Sequence, residues 1–265
     1  MSRKQRTILL VFAVWSFLIG VPGVWLWQVD RQERLNRALI AAIKRGDTSS
    51  ALDALEKGAN GNARDEPRVT AWKRLWGLVQ GRRSGVSDAP TALLLLLERR
   101  DTQSAHFLAK ESPELVSALL AHGAQVNVID EAGFSPLFYA LEVGQKRTAR
   151  LLINRGANVT TQPNRVNPLV MEITGCRDTA LAELMIQHGA DVNSSGHPSM
   201  WSPISAAVYS ADKESVRLLL RHHAYPNPTL ETDVETEVSG KPLKYAEDHH
   251  LTEIAKLLRA AGAKR

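Results

Sequence analysis

Gly-Ala pairs recur at 58–59, 123–124, 156–157, 189–190 and 262–263, and His223-Ala224 stands in the gap before the last of them. The glycines at 123, 156 and 189 are spaced 33 residues apart. A constant interval in the thirties marks a chain built from stacked copies of one small unit, because a single unit of that size cannot bury its apolar face alone. The interval therefore excludes most single-core folds before any individual residue is considered.

The unit can be read from its parts. PELVSALLAHGA, RTARLLINRGA, ALAELMIQHGA and ESVRLLLRHHA carry apolar residues in matching places: Leu119, Leu152, Met185 and Leu219 at one position, and Val116, Ala149, Ala182 and Val216 three residues earlier. That spacing gives one apolar helical face. The glycine that follows allows the positive φ with which helices often stop, so His223 predicts a strained or differently built stop. Ser135-Pro136-Leu137, Asn167-Pro168-Leu169, Ser202-Pro203-Ile204 and Lys241-Pro242-Leu243 open a shorter helix before each long one, and Thr91-Ala92-Leu93 does so without proline. Ser or Asn caps the free N–H groups, and proline at the first helical position loses no hydrogen bond. The unit is loop, short helix, turn, longer helix, glycine stop.

These motifs resemble the ankyrin repeat family. GFSPLFYA (133–140) is similar to the family's G-x-T-P-L-H-x-A, and LLINRGANV and LMIQHGADVN are similar to its second-helix ending. The resemblance covers 35–265 apart from insertions, and units fall at about 35–65, 88–129, 130–162, 163–195, 196–228 and 229–265. It implies an all-α helix-turn-helix solenoid of about six repeats over 30–265. It also implies that a protein partner docks on the finger tips and the exposed side of the first helices, which together form a concave surface. Carried onto matching positions, the candidate partner-binding residues are Glu131, Phe134, Glu142, Trp201 and Tyr209. For Trp201, covering the neighbouring finger is the competing role.

Three stretches depart from the pattern. In 66–87, Trp72, Leu75, Trp76 and Val79 fall at helical spacing among Lys73, Arg74, Arg82 and Arg83. Trp72 and Trp76 either pack over the first helix pair or lie on a lipid surface. Residues 98–112 extend a turn in the second unit, and 229–240 make an acidic, solvated finger loop.

The N-terminus has a different character. After a basic tail at 1–6, Thr7 to Val29 are 23 residues without a charge. As a helix this run is about 34 Å long, enough to cross a hydrocarbon core of about 30 Å. Trp25 and Trp27 sit at its far end, where amphipathic rings favour the membrane interface. No small-x-small cleavage triplet follows Ile19, so the segment reads as an uncleaved single-pass anchor rather than a signal peptide. The favoured orientation puts the short tail in the cytoplasm and the repeats on the other side, although Arg31, Arg34 and Arg37 after the span leave the opposite topology open.

No chemistry is legible. The single cysteine, Cys176, excludes an internal disulfide and a thiolate zinc site. The eight histidines lack the i, i+4 spacing of a helical metal site, and no nucleophile elbow or phosphate-binding glycine loop occurs. Acidic residues are scattered over positions expected on helix surfaces. The net charge of +5 is too mild to argue for nucleic acid. Neither a cofactor nor a small-molecule substrate is indicated. The expectation is a non-enzymatic, membrane-tethered interaction module. The alternatives are an enzyme or enzyme regulator with residues converging across repeats, and a lipid-surface binder acting through 66–87.

Overall fold

The computed structural model describes residues 21–66, 89–98, 111–160, 167–194, 202–228 and 241–264. Trp72, Trp76 and Trp201 lie outside them, as does most of the uncharged N-terminal run. Two compact units are present. One comprises the residues up to Ala92 together with Ala118–Ala124; the other comprises Leu93–Ser117 and Gln125–Arg265.

In the second unit the openings fold as their residues dictate. Ser135 Oγ accepts from Phe138 N at 3.2 Å, Asn167 Oδ1 from Leu169 N at 2.9 Å, and Ser202 Oγ from Ser205 N at 3.3 Å. They start α5 (Pro136–Glu142), α7 (Pro168–Met171) and α9 (Pro203–Tyr209), while α11 (Pro242–Asp248) follows Lys241 without a side-chain cap. The longer partners are α6 (Lys146–Asn154), α8 (Thr179–Gln187), α10 (Lys213–Arg221) and α12 (Thr252–Ala260). Asp178 and Asp212 cap α8 and α10. The short helices pack side by side in chain order, and so do the long ones, giving two layers. Leu137, Leu152, Leu169, Met185, Leu219 and Leu258 lie between them with no exposed surface beyond 1%. Each fully buried side chain of this kind contributes about 1.5–3 kcal/mol.

Each long helix stops in the same way. At α6, Gly156 N donates to Ile153 O and Ala157 N to Leu152 O, both at 2.9 Å, with Gly156 at φ 85°. At α10 the same pair of bonds runs from His223 N to Leu220 O and from Ala224 N to Leu219 O, but with a Cβ-bearing residue at φ 62°. The substitution leaves the stop intact and strains it, as its sequence predicts.

Neighbouring repeats are also clasped through asparagines. Asn127 Oδ1 accepts from Asn158 N at 2.8 Å while its amide donates to Gly156 O. Asn193 accepts from Tyr225 N at 2.8 Å, and Asn227 from Lys264 N at 2.7 Å. One polar side chain thus satisfies backbone groups of the next loop that packing would otherwise leave without a partner.

The first unit holds α1 (Val21–Arg45) and α2 (Thr48–Glu56). Ile43, Leu39, Leu55 and Ala51 form its core. Gly61 donates to His122 O at 3.0 Å, and a Cβ there would collide with the Leu119 carbonyl, so only glycine fits. The remaining helices are α3 (Ala92–Leu97) and α4 (Pro113–Ala121).

α1 differs from expectation. The sequence divides into an anchor ending at Val29 and repeats beginning near 35, yet one helix runs through that division. Nothing between Val29 and Leu35 breaks a helix: the residues are DRQER, and Arg34 pairs with Asp30 one turn back. Among the described residues no helix is long and apolar enough to cross a membrane. α1 has the length but carries Asp30, Arg31, Glu33, Arg34 and Arg37.

Candidate functional site

The short-helix layer of the second unit carries the candidate surface. Tyr209 closes α9 and Glu142 closes α5, each seven residues after its cap, so each occupies the same corner of its repeat. Glu142 is exposed, and Tyr209 is 50% exposed despite its size. Tyr209 lies 5.8 Å from the ring of Tyr245 on α11, which stacks at 3.8 Å on His249. The Arg177 side chain donates to the carbonyl of Ser210 next to Tyr209. The structure thus joins Tyr209 to two rings that sequence reasoning passed over. Their signal was available, because Tyr245 and His249 are four apart on one helix face.

Phe134 belongs to a different grouping. Its ring stacks at 4.0 Å on Phe138 and lies edge-on to Tyr139 at 6.1 Å, so it is half-buried and part of its surface serves the fold. Asp130 organises this finger by accepting from Ala132 N, Phe134 N and the Tyr139 hydroxyl. Glu131 is exposed at the tip beside Ile129, which is 49% exposed and was not foreseen. Helix α7 lies between the two aromatic groupings in the layer. Trp201 is outside the described residues.

The expectation that acidic residues lie on helix surfaces fails at Glu172, which is fully buried. The cause is one extra residue. Ala149 follows Ser135 by 14 positions, Val216 follows Ser202 by 14 and Ala255 follows Lys241 by 14, but Ala182 follows Asn167 by 15. The surplus widens the end of α7 into a π-helical turn, Glu172–Cys176, in which Arg177 N donates to Glu172 O. In the other repeats this carbonyl, of Ala140, Ala207 or Ala246, serves the amide that opens the next helix turn: Gln145 at 2.8 Å, Asp212 at 2.9 Å and Leu251 at 2.7 Å. The insertion leaves the corresponding amide of Asp178 without that acceptor. Glu172 Oε1 replaces it at 2.7 Å. Among the described residues Oε2 has no hydrogen-bond partner. Burial pushes the Glu172 carboxyl up to about 7; the Asp178 and Asp212 carboxylates add to the rise, and the Asp178 N–H bond and Lys146 oppose it.

Cys176, in the same turn, is buried, with Sγ 3.6 Å from Leu141 O. Burial, then the Glu172 carboxylate, pushes its thiol up to about 11. A thiol held protonated is a poor nucleophile. Burial raises Asp178 too, but the bonds from Arg150 Nη2 to both carboxylate oxygens, at 2.9 Å, outweigh it and leave the carboxyl below its ordinary value. Among the described residues no three of His, Cys, Asp and Glu gather as a metal would require. Tyr209 and His249 are exposed and Tyr245 half-buried, so this aromatic run is what a partner could touch.

Residues 85–163 match the family model described as ankyrin repeats (3 copies). An Arabidopsis thaliana protein, E3 ubiquitin-protein ligase KEG, is 42% identical over 82 residues, which are 30% of this chain and 5% of that protein. A putative ankyrin repeat-containing protein of Treponema pallidum is 30% identical over 79 residues, 29% of this chain and 26% of that one. The matches thus span small parts of these relatives. Among solved structures, an ankyrin repeat domain from Acinetobacter baumannii superposes with a TM-score of 0.61 at 23% identity, covering 85% of this chain and 98% of that one. The human ASB11 ankyrin repeat domain gives 0.58 at 20% identity, covering 85% and 84%. The two-layer stack, the glycine stops and these likenesses agree: residues 85–163 match ankyrin repeats, and the fold is an all-α repeat solenoid of the ankyrin type.

Proposed function

We propose that this chain is a membrane-tethered interaction module whose partner protein docks on the short-helix layer of the second unit, around Tyr209. The run of exposed Tyr209, half-buried Tyr245 and exposed His249 carries this reading, because large aromatics presented on a rigid surface are the usual anchors of a protein interface. The exposed carboxylates Glu131 and Glu142 extend the candidate surface towards the third repeat. The uncharged stretch from Thr7 to Val29 supports the tether, with the basic tail on the cytoplasmic side and the repeats across the membrane.

The test is photo-crosslinking in intact membranes, with the reactive amino acid at Tyr209 and, for comparison, at exposed Arg221 on the long-helix layer. A specific adduct from position 209, absent from 221 and reduced by Tyr245→Ala, supports the reading. Equal capture at both positions refutes it. A topology reporter fused after Arg265 tests the orientation, and a cytoplasmic signal reverses it.

A further inference from the structure

We propose that the first repeat sits within the phospholipid headgroup layer, with Arg31 and the Lys57–Gly58 turn among the headgroups, so that this repeat is mounted on the bilayer without a flexible stalk. The inference rests on the tether proposed above and adds where the repeat meets the lipid.

Six large hydrophobic side chains are exposed among the described residues, and half of them, Val24, Trp25 and Trp27, occupy one turn of α1 at 58%, 43% and 59%. Such a concentration on a soluble surface calls for a partner. Its position names that partner. The turn lies at the end of the uncharged run, and the first charge, Asp30, follows at once. Tryptophans at a transition from apolar to charged sequence are placed as at a bilayer–water boundary. The Arg31 guanidinium lies 5.9 Å over the Trp27 ring, so a cation and an aromatic ring meet where the uncharged run gives way to charge.

Continuity of α1 then fixes the heights. A helix rises about 1.5 Å per residue, so Arg31 and Gln32 stand about 6–8 Å from Trp27 along the axis, and Arg45 about 27 Å. α2 runs back alongside: Gln32 Nε2 donates to Gly58 O at 2.9 Å, Arg31 Nη2 to Lys57 O at 3.5 Å, and Asn36 accepts from Asn60 N at 2.9 Å. Lys57 and Gly58 are therefore level with Arg31 and Gln32. The polar layer on each side of the hydrocarbon is about 5–8 Å thick, which contains that level and excludes Arg45. A helix tilt of about 20° shortens these heights by only a few per cent. Charge agrees with the placement: Arg31 and Lys57 are cations at phosphate height. The exposed pairs Arg34–Asp30 and Lys57–Asp53 are of the surface kind that contributes little and exchanges readily for another anion.

The experiment uses the full chain in phosphatidylcholine–phosphatidylglycerol vesicles. Val24, Lys57 and Arg45 are each replaced by cysteine and labelled with an environment-sensitive fluorophore; Glu56→Cys provides a second label at the Lys57 level. Buried Cys176, with its protonated thiol, leaves the parent chain as the unlabelled control. Lipids carrying a quencher on the headgroup should dim the Lys57 and Glu56 labels several-fold more than the Arg45 label, and acyl-chain quenchers should dim the Val24 label. Lys57 and Glu56 labels that behave like Arg45 while Val24 is quenched overturn this placement and leave the tether standing. A Val24 label insensitive to both quenchers removes the tether, and the placement with it.

Discussion

Glu172 ties the stability of the fourth repeat to pH. Its carboxyl is fully buried, and folding raises its pKa from 4.5 to about 7. Between those values the folded chain holds a proton that the unfolded chain releases. The stabilisation is therefore complete below about pH 4.5 and is lost as pH climbs through about 7. The rise corresponds to about 3.5 kcal/mol at roughly 1.4 kcal/mol per pH unit. Against a typical domain stability of about 5–15 kcal/mol that is a large share. Glu172→Gln keeps an oxygen for the Asp178 amide and cannot ionise. Denaturant unfolding of wild type and E172Q at pH 5, 6, 7 and 8 isolates the effect, because pH dependence from other groups cancels in the difference. From pH 5 to 8 the wild type should lose about 2.5 kcal/mol relative to E172Q, the rest of the change lying outside that window. Glu172→Ala, which takes away the acceptor for Asp178 N, should be destabilised at every pH. A gap between wild type and E172Q that is flat across that range would refute the reasoning.

Two further outcomes are expected. His223→Gly removes a Cβ from a left-handed position and should stabilise by about 1 kcal/mol, raising Tm by about 2–4 °C in a thermal melt. Asn193→Ala should cost about 1 kcal/mol and expose the Tyr225 amide, speeding its hydrogen exchange roughly fivefold while amides of α6 remain protected.

What the sequence disclosed was local and repetitive. Ser135, Asn167 and Ser202 announced their caps because the capping bond is made within three residues, and His223 announced its strain because the glycines at the matching stops set the rule. Glu172 escaped for a countable reason: the spacing from Asn167 to Ala182 exceeds its counterparts by one residue, but only coordinates show the surplus going into the helix rather than the turn. The continuity of α1 was hidden by the change of polarity at Asp30, which looks like a boundary although no residue there opposes a helix. On the candidate surface, Tyr209 was legible from its register in the repeat. Its association with Tyr245 and His249 was not, because that contact joins side chains 36 and 40 residues away. Phe134 was only half foreseen, since register reveals its place on the finger and not the ring it leans on.

The widened turn at Glu172–Cys176 has an evolutionary consequence. An additional amino acid there is taken up within a single joint, and the helix after it returns to the common phase, so later repeats inherit no slippage. A linear stack that absorbs a length change in this way can tolerate insertion mutations that would misalign a closed sheet, provided that one side chain with an acceptor oxygen arrives with the insertion to stand in for the missing carbonyl.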